Sequence, residues 1–218
     1  MQDQQRRYKE RGQRVDQFMV ASVDNFAPGS KGAEQHAVLK DILFEVDELD
    51  AGRAASKRKR KQGTEGREQT RTKLQRMLRL ATDTGETAAL DHPELKGLFA
   101  PPEKDYNDTA LLAAVRSVAD AAVPHLAKLA AYGLPGSFFN EMRATADEFG
   151  SHVATQTAAA GEGASNVAAL KDAFRRLNET VERLDTIVTN TYRDDPVKLA
   201  AWKSAVRLER APRHTDDD

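Results

Sequence analysis

SKRKRKQGTEGREQTR, residues 56–71, sets five consecutive basic residues, Lys57 to Lys61, ahead of two glycines, Gly63 and Gly66. Whether this stretch is a loop or the middle of a helix decides the fold. Upstream, Leu39, Ile42, Val46 and Leu49 recur at alternating spacings of three and four, the seam of an amphipathic helix. Carried forward, the same heptad passes Arg53, Ser56, Arg60, Gly63, Arg67 and Thr70 and lands on Leu74, Met77 and Ala81. A loop has no reason to keep a seven-residue register. The spacing therefore predicts one helix from about Ser30 to Thr84, with Ser30 as its N-cap.

Outward from there the chain reads as all-α. Alternating β-branched runs are missing, and Ala, Leu, Glu, Lys, Arg and Gln dominate. A first helix is expected over about Gln5 to Phe26, carrying Tyr8, Val15, Phe18, Met19, Ser22, Val23 and Phe26 on one face and stopping at Ala27-Pro28-Gly29. Asn107 caps a helix reaching Tyr132, with Leu111, Leu112, Val115, Val118, Leu126 and Leu129 as its stripe and Gly133 as its stop. Pro124 inside it removes a backbone bond and predicts a kink or a break. From Ser137 to about Tyr192 one register links Met142, Phe149, Gln156, Gly163, Leu170, Leu177 and Leu184, with Phe139, Val153, Phe174, Val181 and Val188 alongside. At about 1.5 Å per residue such a helix is on the order of 80 Å long. Asp195 and Pro196 open a final short helix with Leu199, Trp202 and Val206.

The expected architecture is an elongated helical bundle of two short and two long helices plus a short C-terminal helix. Residues 1–87 hold a short and a long helix, 88–106 a Pro- and Gly-containing connector, 107–193 a Pro-kinked short helix and a long one, 194–210 the last helix, and 211–218 a disordered tail, in one cooperative domain. Pro28-Gly29-Ser30 with Glu34 and Pro135-Gly136-Ser137 with Glu141 share one spacing, which suggests a two-unit internal repeat. In the connector, Leu90, Leu95, Leu98 and Phe99 are expected to lie on the bundle as a cap.

With 218 residues, 39% hydrophobic and 31% charged, the chain has the composition of a folded protein with a core. A formal net charge of −1 means that any basic patch is local and offset elsewhere. The absence of cysteine excludes disulfides, thiolate metal sites and thiol nucleophiles. The start, MQDQQRRYKERG, has charge but no apolar stretch behind it, and no run approaches the ~18 apolar residues of a membrane span, so a cytoplasmic protein without a membrane partner is expected.

Between Arg53 and Arg79 only Glu65 and Glu68 offset the basic residues, among them Lys57, Arg58, Lys59, Arg60, Lys61, Arg67 and Arg71. Such a surplus attracts phosphate backbones, and these seven are the candidate polyanion-binding residues. Aromatic residues between the charges, which a single-strand binder uses, are missing. The alternative is a solvated face or one paired with the acidic block Asp41, Glu45, Asp47, Glu48 and Asp50. Gly63 and Gly66, with Gly161 and Gly163 in the second long helix, mark either close helix approach or a hinge.

Signs of catalysis are thin. His36, His92, His125, His152 and His214 form no His-x3-His or Glu-x2-His pair, and Glu45, Glu48, Glu141 and Glu148 sit at spacings common on solvated faces. QGTEG lacks the Gly-Lys-Ser/Thr ending of a phosphate loop. No catalytic, metal or cofactor residue is assigned. FAPGSKG at 26–32, ALLAAVRSVADAAVP at 110–124, GLP at 133–135 and DDPVKLAAWKSAVRLERAPR at 194–213 resemble a family of uncharacterised bacterial all-helical proteins. The tail carries the most specific part, through Leu199, Trp202, Glu209, Arg210, Pro212 and Arg213, whereas the run Lys57 to Lys61 departs from the pattern. The resemblance implies the all-helical fold and no activity. The expected function is that of a non-enzymatic structural or protein-interaction bundle, self-associating or bound to protein partners, with nucleic-acid or polyanion binding through residues 53–79 as the alternative.

Overall fold

Ser30 caps a helix that does not stop at the basic run. Its Oγ accepts from the Ala33 backbone N–H at 3.3 Å, and Gly29 before it adopts φ +82°, a conformation open to glycine. In the computed structural model, which describes residues 3–100 and 107–209, α1 spans Asp3–Ala21 and α2 spans Lys31–Ala88 without a break. Of the projected register, Leu39, Ile42, Val46, Ser56, Gly63, Thr70, Leu74, Met77 and Ala81 are buried, and Arg60 is exposed. The remaining elements are α3 (Asp108–Ala122), α4 (Leu126–Ala131), α5 (Phe138–Thr191) and α6 (Pro196–Val206). Among the described residues there is no strand.

The expected breaks fall where side-chain chemistry puts them. Pro124 lies in a 3₁₀ turn, Val123–His125, that separates α3 from α4. Gly133 at φ +85° ends α4, and Leu134 N–H donates back to Leu129 O at 3.2 Å, which fixes the turn into α5. Asn107 Oδ1 accepts from Ala110 N–H at 2.8 Å and Asp195 Oδ1 from Lys198 N–H at 3.0 Å, so both caps are used. The first helix ends earlier than expected. Ser22, Val23, Asp24 and Asn25 form a 3₁₀ turn in which Val23 faces solvent, while Phe26 folds over Gly32.

The chain divides into two compact units, Met1–Ser56 with Gly161–Asp218 and Lys57–Ala160, so the division cuts both long helices instead of falling between the sequence halves. In the first unit, α1, the N-terminal part of α2, the C-terminal part of α5, and α6 close around Val15, Met19, Leu39, Phe174, Leu177 and Trp202. Here α2 and α5 run antiparallel: Glu45 meets Arg176, Gly52 meets Asn166 and Ser56 meets Glu162. Trp202 is fully buried, packs on Phe18 at 5.1 Å between ring centres, and donates from Nε1 to Asp185 Oδ1 at 2.6 Å.

In the second unit, the C-terminal part of α2, the connector, α3, α4 and the N-terminal part of α5 enclose Leu74, Leu78, Leu111, Val115, Met142 and Phe149. The antiparallel order recurs, Thr64 against Gln156 and Gly66 against His152. The connector caps this core with Leu95 and Phe99, and Thr82 Oγ1 donates to Phe99 O at 2.8 Å. Leu90 and Leu98 turn outward, contrary to the expectation for all four residues. Residues 101–106 of the connector, Arg210, Pro212 and Arg213 of the family-like ending and the tail 211–218 lie outside the described residues.

One segment departs from the expected absence of a membrane-length apolar run: Asp108–Ala131 is long and apolar enough to cross a membrane by length and composition. Alanine accumulates there without forming an uninterrupted apolar block. In the fold it is divided by Pro124 and buries Leu111, Ala114, Val115, Val118, Ala119 and Ala122 in the second core.

Replacing Trp202 with Ala removes the largest buried side chain of the first core and leaves Asp185 without its donor. A loss of about 3–5 kcal/mol in urea-unfolding free energy is expected.

Candidate functional site

The basic run lies on α2 near the start of the second unit. Lys57, Arg58, Lys59, Arg60, Lys61 and Gln62 are six consecutive exposed residues inside a continuous helix. At about 100° per residue, Lys57, Arg58, Arg60, Lys61, Thr64 and Glu65 share one face about 160° wide. The same count puts Gly63, Gly66 and Thr70 on the opposite side, which packs against α5. Between the six side chains of the open face is a shallow hollow of about 590 Å³. Its one acid, Glu65, lies 3.6 Å from Lys61, and both are well exposed.

Thr64 anchors the floor. Its hydroxyl donates to Arg60 O at 2.9 Å and accepts from Gln156 Nε2 at 2.9 Å, tying the open face of α2 to α5. Behind it the two helices come close. A Cβ at Gly63 would sit 3.1 Å from the Gln156 backbone nitrogen, and one at Gly66 would come within 2.5 Å of His152 Cε1. Close approach accounts for these two glycines. Gly161 has open space around it and Gly163 only an ordinary 3.9 Å contact with Ser56 Cβ, and both stand inside unbroken α5.

The seven candidate cations divide in two. Arg67 donates to Asp108 Oδ2 from Nε at 2.7 Å and from Nη2 at 2.6 Å, and Arg71 Nη1 pairs with Asp108 Oδ1. Both carboxylate oxygens of Asp108 are thus engaged at the first turn of α3, where a negative charge also favours the helix dipole. Arg67 and Arg71 fasten α3 to α2 and leave the open face to the upstream residues. Nothing in the sequence around Asp108 signals this use beyond its place just after a cap, since its partners lie 37 and 41 residues away.

Two members of the acidic block are also engaged. Arg176 Nη2 donates to Glu45 Oε1 at 2.6 Å and Lys9 pairs with Asp47, both in the first unit. Asp172 accepts from Arg175 Nη2 at 2.6 Å and Arg176 Nε at 2.9 Å, and these two arginines hold its carboxyl below the usual range. The depressed carboxyl contributes stability above the ordinary aspartate range, and the contribution is lost as pH falls through its folded value. Arg11 is half-buried, donates to Asn178 Oδ1 at 2.5 Å and lies 5.6 Å from the Tyr8 ring centre; burial lowers its pKa.

The histidines are dispersed. His36 Nε2 is 2.7 Å from Asp16 Oδ1, His92 stands edge-on to Tyr132, and His152 fills the space over Gly66. His214 lies outside the described residues. Among the described residues no three His, Asp or Glu side chains gather as a metal set. Compared with protein-family models, curated proteins and solved structures, the chain matches none.

Three variants test this assignment of residues. Asp108→Asn should lower unfolding free energy by about 1 kcal/mol, because the groups are partly exposed and two charged hydrogen bonds weaken together. Gly161→Ala should raise it by about 1 kcal/mol through helix propensity alone, whereas Gly63→Leu should lower it by about 1–3 kcal/mol as α2 is pushed from α5. Thermal and urea melts followed by circular dichroism read all three.

Proposed function

We propose that the chain is a non-enzymatic helical bundle that works as an interaction protein, with the open face of α2 from Lys57 to Glu65 as its docking surface. One observation carries this reading. Six consecutive residues inside a helix are exposed, while in the turns that follow Gly63 and Gly66 lie tightly against Gln156 and His152. Amphipathic patterning normally leaves about half a helix to solvent. The face that Lys57, Arg58, Arg60 and Lys61 present through more than a full turn contributes nothing to a core and is open to a partner. Protein partners and self-association fit this surface in general terms, and its charge favours an anionic counterpart.

The reading separates function from folding. The variant with Lys57, Arg58, Lys59, Arg60 and Lys61 all changed to Gln should keep its helical signal and melt no more than about 4 °C below the parent, since surface substitutions rarely exceed ±0.5 kcal/mol each and the lost like-charge repulsion works the other way. A melting temperature lowered by 10 °C would make the run part of the fold and end its candidacy as a docking surface. Self-association is read separately by light scattering. A mass that stays at 24.0 kDa across a hundredfold range of concentration would leave only foreign partners.

A further inference from the structure

We propose that the face formed by Lys57, Arg58, Arg60 and Lys61 binds the phosphate backbone of double-stranded nucleic acid without reading sequence. The proposal rests on the reading of this segment as a docking surface. The four cations occupy about 6 Å of helix axis, near one positive charge per 1.5 Å, and a duplex presents one negative charge per ~1.7 Å of its own axis. A single strand or an extended acidic peptide offers about half that density, one charge per ~3.3–3.4 Å.

The hollow is lined by Lys57, Arg58, Arg60, Lys61, Thr64 and Glu65, none of them aromatic. Single-strand binders obtain much of their affinity from bases stacked on aromatic rings, and this face has none to offer. Lysine and arginine on long stems suit phosphate oxygens, which need charge and donors but no stacking.

α2 is backed by α5 at Gly63, so the face is one side of a two-helix layer. Its lysines and arginines sit on flexible stems with no side chain beside them that fixes their orientation toward a base edge, so the contact this face offers is charge and donors to phosphate oxygens. Arg67 and Arg71 do not add to the footprint, because Asp108 holds them. Glu65 opposes binding from within the face.

The test is fluorescence anisotropy of a labelled 20-base-pair duplex of arbitrary sequence, titrated with the full chain between 50 and 200 mM salt. With three to four phosphates neutralised, affinity should fall roughly 10²-fold over that range, with a slope near −3 in the log of the association constant against log salt. Changing Lys57 to Lys61 to Gln should abolish binding, and Glu65→Gln should tighten it several-fold. The triple variant Lys40→Gln, Lys171→Gln, Lys203→Gln, which removes exposed cations elsewhere, should bind as the parent does. The single strand should bind more weakly than the duplex.

No duplex binding at 50 mM salt, unchanged binding by the five-glutamine variant, or tighter binding of the single strand would each overturn the proposal. Competition by polyglutamate as effective, charge for charge, as that by unlabelled duplex would also overturn it, and would assign the face to acidic protein. A five-glutamine variant that melts as the parent does while neither protein binds duplex removes the nucleic acid alone. One that unfolds removes the docking surface with it.

Discussion

The close antiparallel pairing of α2 with α5 is the constraint on which each unit is built. Where the helices approach most nearly, there is little room for side chains. In the second unit Gly63 faces the Gln156 backbone and Gly66 lies under the His152 ring; in the first, Gly52 faces Asn166. Ala159 is buried as well. Such a seam buries little apolar area and therefore contributes little hydrophobic free energy, which scales with area at about 25 cal/mol per Å². The larger gain comes where a third helix covers the pair. There, Leu74, Leu111 and Phe149 in one core and Leu39, Leu177 and Trp202 in the other are each worth about 1.5–3 kcal/mol on burial. The short helices α1, α3, α4 and α6 thus complete each core by covering the long pair, and the long helices supply the frame and most of these side chains.

Most of the frame was legible because helix signals are local. The caps Ser30, Asn107 and Asp195, the stops at Gly133 and Pro124, and the heptad through Gly63 each follow from residues within a turn or two of one another. The heptad succeeded through a stretch with almost no apolar residues because small side chains kept the phase that leucines kept elsewhere. What stayed hidden is non-local. That Phe99 turns inward and Leu98 outward depends on Thr82 and Gly85 in α2. Where the chain divides into units also depends on which distant halves of α2 and α5 meet, and periodicity within a helix carries no such information.

The candidate site was half legible for the same reason. Charge composition picked out Lys57 to Lys61 and extended the site to Arg67 and Arg71, because all seven stand in one basic stretch. The fold separates them by a single carboxylate, Asp108, brought to α2 by the packing of α3. The hinge reading of the glycines divided similarly. Two of the four are where an added Cβ would crowd the facing helix, and this is a property of the partner helix and not of the glycine's own sequence.

What remains of the basic run carries a local cost in like-charge repulsion. Lys57 and Lys61 are like charges one turn apart, an arrangement that weakens a helix by about 0.2–0.5 kcal/mol per pair. Arg58, Lys59 and Arg60 add to the same field, and the Lys61–Glu65 pair is too exposed to offset much of it. A sequence shaped only by folding would place glutamate or alanine at such exposed positions, since both favour helix without repulsion. Stretches that break a local rule while their neighbours obey it are where function is expected, because there the sequence answers to something other than its own core. Here the rule is kept on one side of α2, down to the spacing of Gly63, and broken on the other, and the broken side is the one that faces solvent.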